Sequence, residues 1–264
     1  MLDKIAAILR RDLLIATRYR AALFIASAGG VLEIAGLYYL SKAIGPGFRP
    51  EGMNSYPFLL VGTGFYTFLL MGISCFVSSI QEAQQAGTLE VLMTSSTNPA
   101  TLVLLSAISS FGGKGLTFLL YLAAGLLISG AHFGHPSFLP FCCVLGLSLA
   151  IAIAIGMGTA AMQLTVRKGS AIVWLLGSAV WLLAGAMFPV SALPPWLQTV
   201  ARFIPMTHSL TAMRLALFTG GFTMPLLREL SVLAGFAILL LPVSLVFFSA
   251  ALRRARLHGT LCYS

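Results

Sequence analysis

Few residues in this 264-residue chain have the types and spacing that nucleotide chemistry requires. The cluster Gly112-Gly113-Lys114-Gly115 comes nearest to a phosphate-binding loop. Such a loop needs a glycine five residues before the Gly-Lys pair and a hydroxyl residue directly after the lysine, because these groups hold the phosphates and Mg²⁺. Ile108 and Gly115 occupy those two positions. We therefore predict that the chain has no nucleotide-binding loop of its own.

Metal ligands and catalytic groups are equally sparse. His132 and His135 form a pair of candidate ligands, but no cysteine or carboxylate accompanies them nearby, and two ligands do not make a metal site. The cysteines have no metal-binding spacing, and three of the four lie inside apolar runs: Cys75, Cys142, Cys143 and Cys262. No Ser–His–Asp order or paired carboxylates stand where catalysis would need them. The prediction is that the chain holds no metal and is not an enzyme by itself.

Composition determines the class of protein. Hydrophobic residues make up 58% of the chain, charged residues only 9%, and the mean hydropathy is +0.96. A soluble domain has about one quarter charged residues. The formal charge of +9 is distributed at segment ends rather than along one face, which indicates membrane topology rather than nucleic-acid binding. We predict an all-α integral membrane protein with a single domain over residues 1–264.

Six apolar segments approach the ~20 residues that a transmembrane helix requires. They are Ala21–Leu40, Tyr56–Ile80, Leu116–Phe133, Phe138–Val166, Ala171–Phe188 and Leu230–Leu252. With the N-terminus inside, the inner face carries eleven basic residues and the outer face five, namely Lys42, Arg49, Arg202, Arg214 and Arg228. The positive-inside rule then places both termini in the cytoplasm.

The first span contains Glu33 near its middle. An ionised carboxylate inside a bilayer is costly and usually faces a partner or a cavity. Contact with substrate or with a donor on a neighbouring helix is one interpretation, and a neutral or snorkelling side chain is the other.

Residues 1–20 precede the first span and do not form a cleavable signal, because their charges are spread throughout. Leu2, Ile5, Leu9 and Leu13 share one side of a helical wheel, and most of the basic residues share the other. This pattern predicts an interfacial helix, with a solvated basic tail as the alternative.

The polar interval Gln81–Pro99 follows the second span and holds Glu82 and Glu90. Gly87 permits a turn, Thr88 can cap, and Leu89 begins an apolar helix face that ends before Pro99. We predict a short cytoplasmic docking helix here.

A second unusual interval, Pro189–Gly221, is too apolar for an ordinary loop. Pro194-Pro195 can start a helix bearing Trp196, and Pro205 breaks it. A second helix follows, with Leu210, Met213 and Leu217 on one face. These features predict a re-entrant hairpin on the outer side between the fifth and sixth spans, with two helices lying flat on the surface as the alternative. His208 and Arg214, which both lie in the hairpin, are expected to bond freed backbone carbonyls or to meet a lipid headgroup.

Both intervals resemble the ABC-2 type transporter permeases. The resemblance is carried by Glu82, Gly87-Thr88-Leu89-Glu90 and Pro99 in the first interval. In the second it is carried by Phe188–Leu197, Ile204–Leu210 and Arg214, which include Pro189, Leu193, Pro194, Pro195, Trp196, Pro205 and His208. The resemblance implies that the first set couples to an ATPase and that the second forms the hairpin.

Further expectations follow from the resemblance. It implies a homodimeric permease in a bacterial plasma (inner) membrane, driven by a separate ABC ATPase in two copies that binds ATP and Mg²⁺. The expected activity is export of an amphipathic or lipid-linked substrate. An ion-coupled secondary transporter and a membrane-embedded scaffold or enzyme are the alternatives. The first of these would be expected to show internal repeats and several intramembrane charges, whereas Glu33 is nearly alone.

Overall fold

The computed structural model describes residues 20–45, 47–85, 115, 117–128, 137–166 and 169–258. These residues form helices, and no strand occurs among them. In chain order the helices are α1 (Arg20–Ile44), α2 (Ser55–Gln85), α3 (Thr117–Ile128), α4 (Phe138–Val166), α5 (Gly169–Leu183), α6 (Pro195–Ala201), α7 (Pro205–Phe218) and α8 (Met224–His258). Short 3₁₀ helices at Pro50–Gly52 and Val190–Ala192 precede α2 and α6.

Three helices of the described ranges are long and apolar enough to cross a membrane. Their qualifying segments are Ser55–Glu82, Phe138–Thr165 and Met224–Arg254, in α2, α4 and α8. The segments Thr117–Ile128 and Val173–Leu183 are apolar but shorter. The all-helical membrane architecture is therefore confirmed, whereas the full set of six spans stays a prediction.

Several helix ends differ from the approximate bounds expected from the sequence. The fifth segment was expected to reach Phe188, but α5 ends at Leu183, and Gly185 then adopts a φ of +79° that breaks the helix. Conversely, α8 starts at Met224 rather than Leu230, and α2 continues past Ile80 to Gln85. Apolar composition marks the part of a helix that suits lipid, but Gln, Glu and Ala propagate a helix equally well beyond it.

The centre of the bundle is α4, which packs against α2, α5, α7 and α8. Its sequence has no charged residue and is apolar all round, as expected of a helix surrounded by others or by lipid. Gly156 lets α2 come close, because a Cβ at this position would overlap the Phe76 ring. Phe76 itself is fully buried.

The outside of the bundle is apolar as well. On α8, Ile238, Leu239 and Val246 have exposed fractions of 75%, 63% and 66%. A row of exposed aliphatic side chains this long is rare on a monomeric soluble protein. It is the surface expected of a helix that faces lipid.

Helix α6 begins at Pro195, where the proline pair predicted a helix start, and α7 begins at Pro205, where the first helix was expected to break. The second of these helices lies inside the bundle, against α2, α4 and α8, and its Leu210, Met213 and Leu217 are buried. A position flat on the surface is therefore wrong for α7. Entry of the hairpin into a membrane stays a prediction.

Several predictions lie outside the described residues. They are the interfacial helix over 1–19, the docking segment beyond Gln85 with Gly87, Thr88, Leu89, Glu90 and Pro99, and the candidate ligands His132 and His135.

Candidate functional site

An open groove of about 620 Å³ lies between α2 and α5. Its walls are mostly apolar and aromatic, with a few hydroxyl groups and one amide. The lining residues are Tyr66, Leu70, Met71, Ser74, Val77, Ser78 and Gln81 from α2, and Val173, Trp174, Gly177, Ser178 and Trp181 from α5.

One contact fixes the spacing of the two helices beside the groove. The buried Tyr66 hydroxyl of α2 donates a hydrogen bond to the carbonyl oxygen of Gly177 in α5. A Cβ on Gly177 would lie 3.0 Å from the Leu70 side chain, which is tighter than ordinary packing. Glycine at this position therefore allows the two backbones to approach, and the tyrosine holds them there.

The polar groups of the groove are mainly acceptors. Ser74, Ser78 and Ser178 each donate their hydroxyl proton to a carbonyl of their own helix, at 2.8, 3.1 and 3.0 Å. A hydroxyl that donates in this way still has lone pairs to offer a ligand. Large apolar walls with a few fixed polar groups are typical of a site for a mainly hydrophobic molecule.

A second polar contact connects α1, α2 and α3. The Tyr121 hydroxyl donates to Glu33 Oε1 at 3.5 Å, and it lies 3.4 Å from Thr63 Oγ1, which in turn donates to the Leu59 carbonyl at 2.7 Å. Glu33 thus has a donor on a neighbouring helix, as one sequence interpretation proposed. At 3.5 Å the contact of the phenol with Glu33 is long for an O–H···O hydrogen bond, so it orients Glu33 rather than binds it tightly.

Arg214 of α7 joins three elements of the bundle. Its side chain is only 2% exposed. Nη2 donates to the carbonyl oxygens of Gly185 at 2.9 Å, Ala186 at 3.1 Å and Phe58 at 3.3 Å. Gly185 and Ala186 follow the C-terminal end of α5, where helix carbonyls lack partners and the helix dipole favours a cation. The sequence expectation that Arg214 bonds backbone carbonyls is confirmed.

No carboxylate within the described ranges forms an ion pair with this guanidinium. Instead, the guanidinium lies over the Phe58 ring, 3.5 Å from its centroid, in a cation–π contact. Nε has no hydrogen-bond acceptor among the described residues. Gly62 makes room for the arrangement, since a Cβ there would overlap both the Ala186 oxygen and Arg214 Nη2.

His208 lies two turns before Arg214 on α7. Its Nδ1 is 2.7 Å from Glu229 Oε2 of α8, and its Nε2 is 2.8 Å from the carbonyl oxygen of Arg202, at the end of α6. The hydrogen bond with Glu229 raises the pKa of His208 above its usual value of 6.5, against an opposing effect of partial burial. The expected carbonyl bond is confirmed here too.

The predicted site residues are brought together only in part. Glu82 is exposed on the last turn of α2, directly after Gln81 of the groove. Pro189, Leu193 and Pro194 form the turns that lead into α6, and Trp196 is 67% exposed on it.

Sequence reasoning missed the groove and Glu229. Glu229 carried a usable signal, because it is the only acidic residue C-terminal to the hairpin. No such signal indicated the groove, since its residues come from two helices that are far apart in the sequence.

The comparisons with known proteins address the family directly. The model of the family described as ABC-2 type transporter matches residues 4–218, which include the groove and the whole of α7. A comparison with curated proteins gives no match. Because this match spans well over half of the chain, the chain belongs to the ABC-2 type transporter family, the membrane subunits of ABC transporters.

Proposed function

We propose that this membrane subunit is an exporter, and that the groove between α2 and α5 receives an amphipathic or lipid-linked substrate leaving the cytoplasm or the inner leaflet. The groove is the observation that carries the proposal. Its volume of about 620 Å³ is within the range of roughly 300–1,000 Å³ typical of small-molecule sites. Trp174 and Trp181 offer aromatic surface to an acyl or polyprenyl chain, while the serine oxygens can accept hydrogen bonds from a polar head.

The power for transport comes from a separate ABC ATPase, which binds ATP and Mg²⁺. The proposed docking segment is Gln81–Pro99, with Glu82, Gly87, Thr88, Leu89, Glu90 and Pro99 as coupling residues. The geometry of α2 supports this assignment, because one uninterrupted helix carries Tyr66 and Gln81 of the groove and then Glu82. A displacement of the docking segment would thus reach the groove through a single rigid element.

We further propose six spans with both termini in the cytoplasm of a bacterial inner membrane. The proposed assembly has two copies of this chain and two ATPase subunits. The eleven-to-five distribution of basic residues supports the orientation. Exposed apolar surface on α1, at Leu32 and Tyr39, and on α5, at Leu175, is available for contact with lipid or with the second copy.

The ion-coupled alternative rests on the Glu33–Tyr121 contact, which is the feature an ion or proton site would use. ATP dependence separates the two functions. Transport that requires the ATPase and continues in Glu33→Gln supports the exporter, whereas transport driven by an ion gradient without ATP supports the alternative.

Substrate-stimulated ATPase activity of the reconstituted complex tests the groove. Ser178→Trp fills it from α5, and Ala179→Trp adds the same bulk at the next, exposed position outside the lining. Across a panel of lipids and hydrophobic drugs, we expect Ser178→Trp to lose stimulation and Ala179→Trp to keep it. Equal stimulation of both variants would show that the groove is not the substrate route. Absence of ATP-driven transport in the intact complex would instead reject the exporter assignment.

A further inference from the structure

Both ring nitrogens of His208 face hydrogen-bond acceptors. Nδ1 is 2.7 Å from a carboxylate oxygen of Glu229, and Nε2 is 2.8 Å from the backbone carbonyl oxygen of Arg202. A carbonyl oxygen can only accept, so Nε2 must carry a proton. The contact at Nδ1 then needs one further proton between the imidazole and the carboxylate.

Both contacts of His208 are favourable only while the His208–Glu229 pair holds its proton. With an imidazolium and a carboxylate, both contacts are good hydrogen bonds, and the bond to Glu229 joins two charges. A neutral imidazole has a single N–H, so beside an ionised Glu229 it can donate to that carboxylate or to the Arg202 carbonyl, but not to both. The nitrogen without a proton then faces an acceptor oxygen at 2.7 or 2.8 Å, and that contact becomes repulsive. The observed geometry is therefore that of the protonated pair.

We propose that His208 is a pH-responsive latch, which ties the turn between α6 and α7 to α8 while the His208–Glu229 pair holds its proton and releases the turn when that proton is lost. The proposal depends on the fold alone, and it is independent of the substrate and of the direction of transport.

The latch acts on the α6–α7 turn rather than on the whole hairpin. The far half of α7 is held by Arg214, whose guanidinium does not titrate in the physiological range and has three carbonyl partners. At the turn itself, Arg202 and Phe203 are exposed, and the main neighbours of α6 in the described part of the chain are α5 and Val190–Ala192. Loss of the His208 contact thus leaves α6 and the turn as the part that can move.

The charges around the latch agree with this assignment. Besides Glu229, α8 carries Arg228 at the preceding position of the sequence, and the turn carries Arg202; both are exposed. The sequence of α4 has no charged residue or histidine, and the charged residue of α2 is Glu82, near the opposite end of that helix. Glu229 is therefore the charged group that His208 contacts among the described residues.

The sign of the pH effect follows from the raised pKa of His208. A histidine whose pKa is raised in the folded state stabilises the fold fully below its unfolded value of about 6.5. That stabilisation is lost as the pH rises through the higher folded value. The transition should therefore lie above about pH 6.5.

Thermal unfolding of the purified full-length protein, measured from about pH 6 to about pH 9, tests the latch on both sides of the ordinary histidine value. We expect the melting temperature of the unmodified protein to fall by about 2–4 °C across the transition. His208→Gln should have a lower melting temperature than the unmodified protein at the acidic end of the range, and it should show no such transition. Glu229→Gln should also lose it, because the amide N–H donates to Nδ1 of a neutral imidazole and keeps the latch closed. Arg228→Gln, which removes a neighbouring charge without touching the pair, should keep the transition.

A spin label at Phe203→Cys, in a background without native cysteines, reports on the turn itself. Its mobility should rise through the same pH range in the otherwise unmodified protein and stay constant with Glu229→Gln. The proposal is overturned if His208→Gln or Glu229→Gln retains the pH transition, if Arg228→Gln abolishes it, or if the label does not respond to pH. If His208→Gln fails to fold, the presence or absence of the pH transition in Glu229→Gln still tests the proposal.

Discussion

The guanidinium of Arg214 lies over the ring of Phe58 and also donates to the Phe58 carbonyl, so one side chain of α7 contacts the start of α2 in two ways. The same Nη2 reaches Gly185 and Ala186, just after the end of α5. Because α2 and α5 are the walls of the groove, Arg214 fixes their separation at the end opposite to Gln81. The hairpin therefore determines the geometry of the proposed substrate route without lining it.

Replacing Arg214 by methionine should destabilise the protein. The change keeps an apolar stem of similar length but leaves the buried carbonyls of Gly185 and Ala186 without this donor. Hydrogen bonds to a charged group contribute about 1.5–3 kcal/mol each, so we expect a clear drop in melting temperature and in membrane abundance. Arg228→Gln, at an exposed arginine of α8, is the control. Equal stability of both variants would show that Arg214 is not an anchor.

Gly62 offers an independent test of the same junction. In Gly62→Ala the new methyl group would overlap the Ala186 oxygen and Arg214 Nη2, which must then move apart. Overpacking of this kind costs about 1–3 kcal/mol. The matched change Gly158→Ala, in α4 where a Cβ meets no described residue within 4 Å, should be neutral or stabilising. A purified Gly62→Ala variant that unfolds at the same temperature as Gly158→Ala would contradict the packing described for this junction.

Local chemistry explains which parts of the fold could be predicted. Pro195 and Pro205 cannot continue a preceding helix but fit a first turn, and both begin helices. A buried cation needs acceptors, and Arg214 has them in backbone carbonyls, as the sequence indicated. These inferences depend on the residue itself and on its near neighbours in the chain.

The parts that escaped prediction depend on contacts between distant residues. Tyr66 and Gly177 are separated by 111 positions, and only the packing of α2 on α5 brings them together. The burial of α7 likewise depends on three other helices, because its composition also fits a surface helix. The early end of α5 follows from the positive φ of Gly185, one of many glycines in apolar surroundings.

Cysteine labelling tests the proposed orientation. Thr199 on α6 and Glu82 at the end of α2 are both exposed, so each accepts a cysteine without loss of packing. In a background without native cysteines, a membrane-impermeant maleimide should label Thr199→Cys in intact cells and Glu82→Cys only after the membrane is opened. Labelling of Glu82→Cys from outside would contradict the proposed orientation and support the opposite one.

The proposed docking surface is tested at Glu90, which lies outside the described residues. A glutamate in the first turn of a helix can simply stabilise the helix N-terminus, an effect of about 0.3–1 kcal/mol when exposed. If Glu90 instead pairs with a basic residue of the ATPase in a partly buried contact, its truncation costs about 2–5 kcal/mol of association. The two roles differ in the free energy that the truncation costs. They also differ in what is weakened, which is either the helix itself or its association with the ATPase.

For Glu90→Ala we therefore expect normal insertion and dimerisation, reduced co-purification of the ATPase, and a loss of transport greater than any loss of abundance. Glu51→Ala is the control, because Glu51 is an exposed acidic residue in the 3₁₀ helix before α2 and is not part of Gln81–Pro99. It should leave ATPase binding unchanged. If Glu90→Ala binds the ATPase fully and transports fully, or fails only because the permease is degraded, Glu90 does not couple the two subunits and acts only within its own helix.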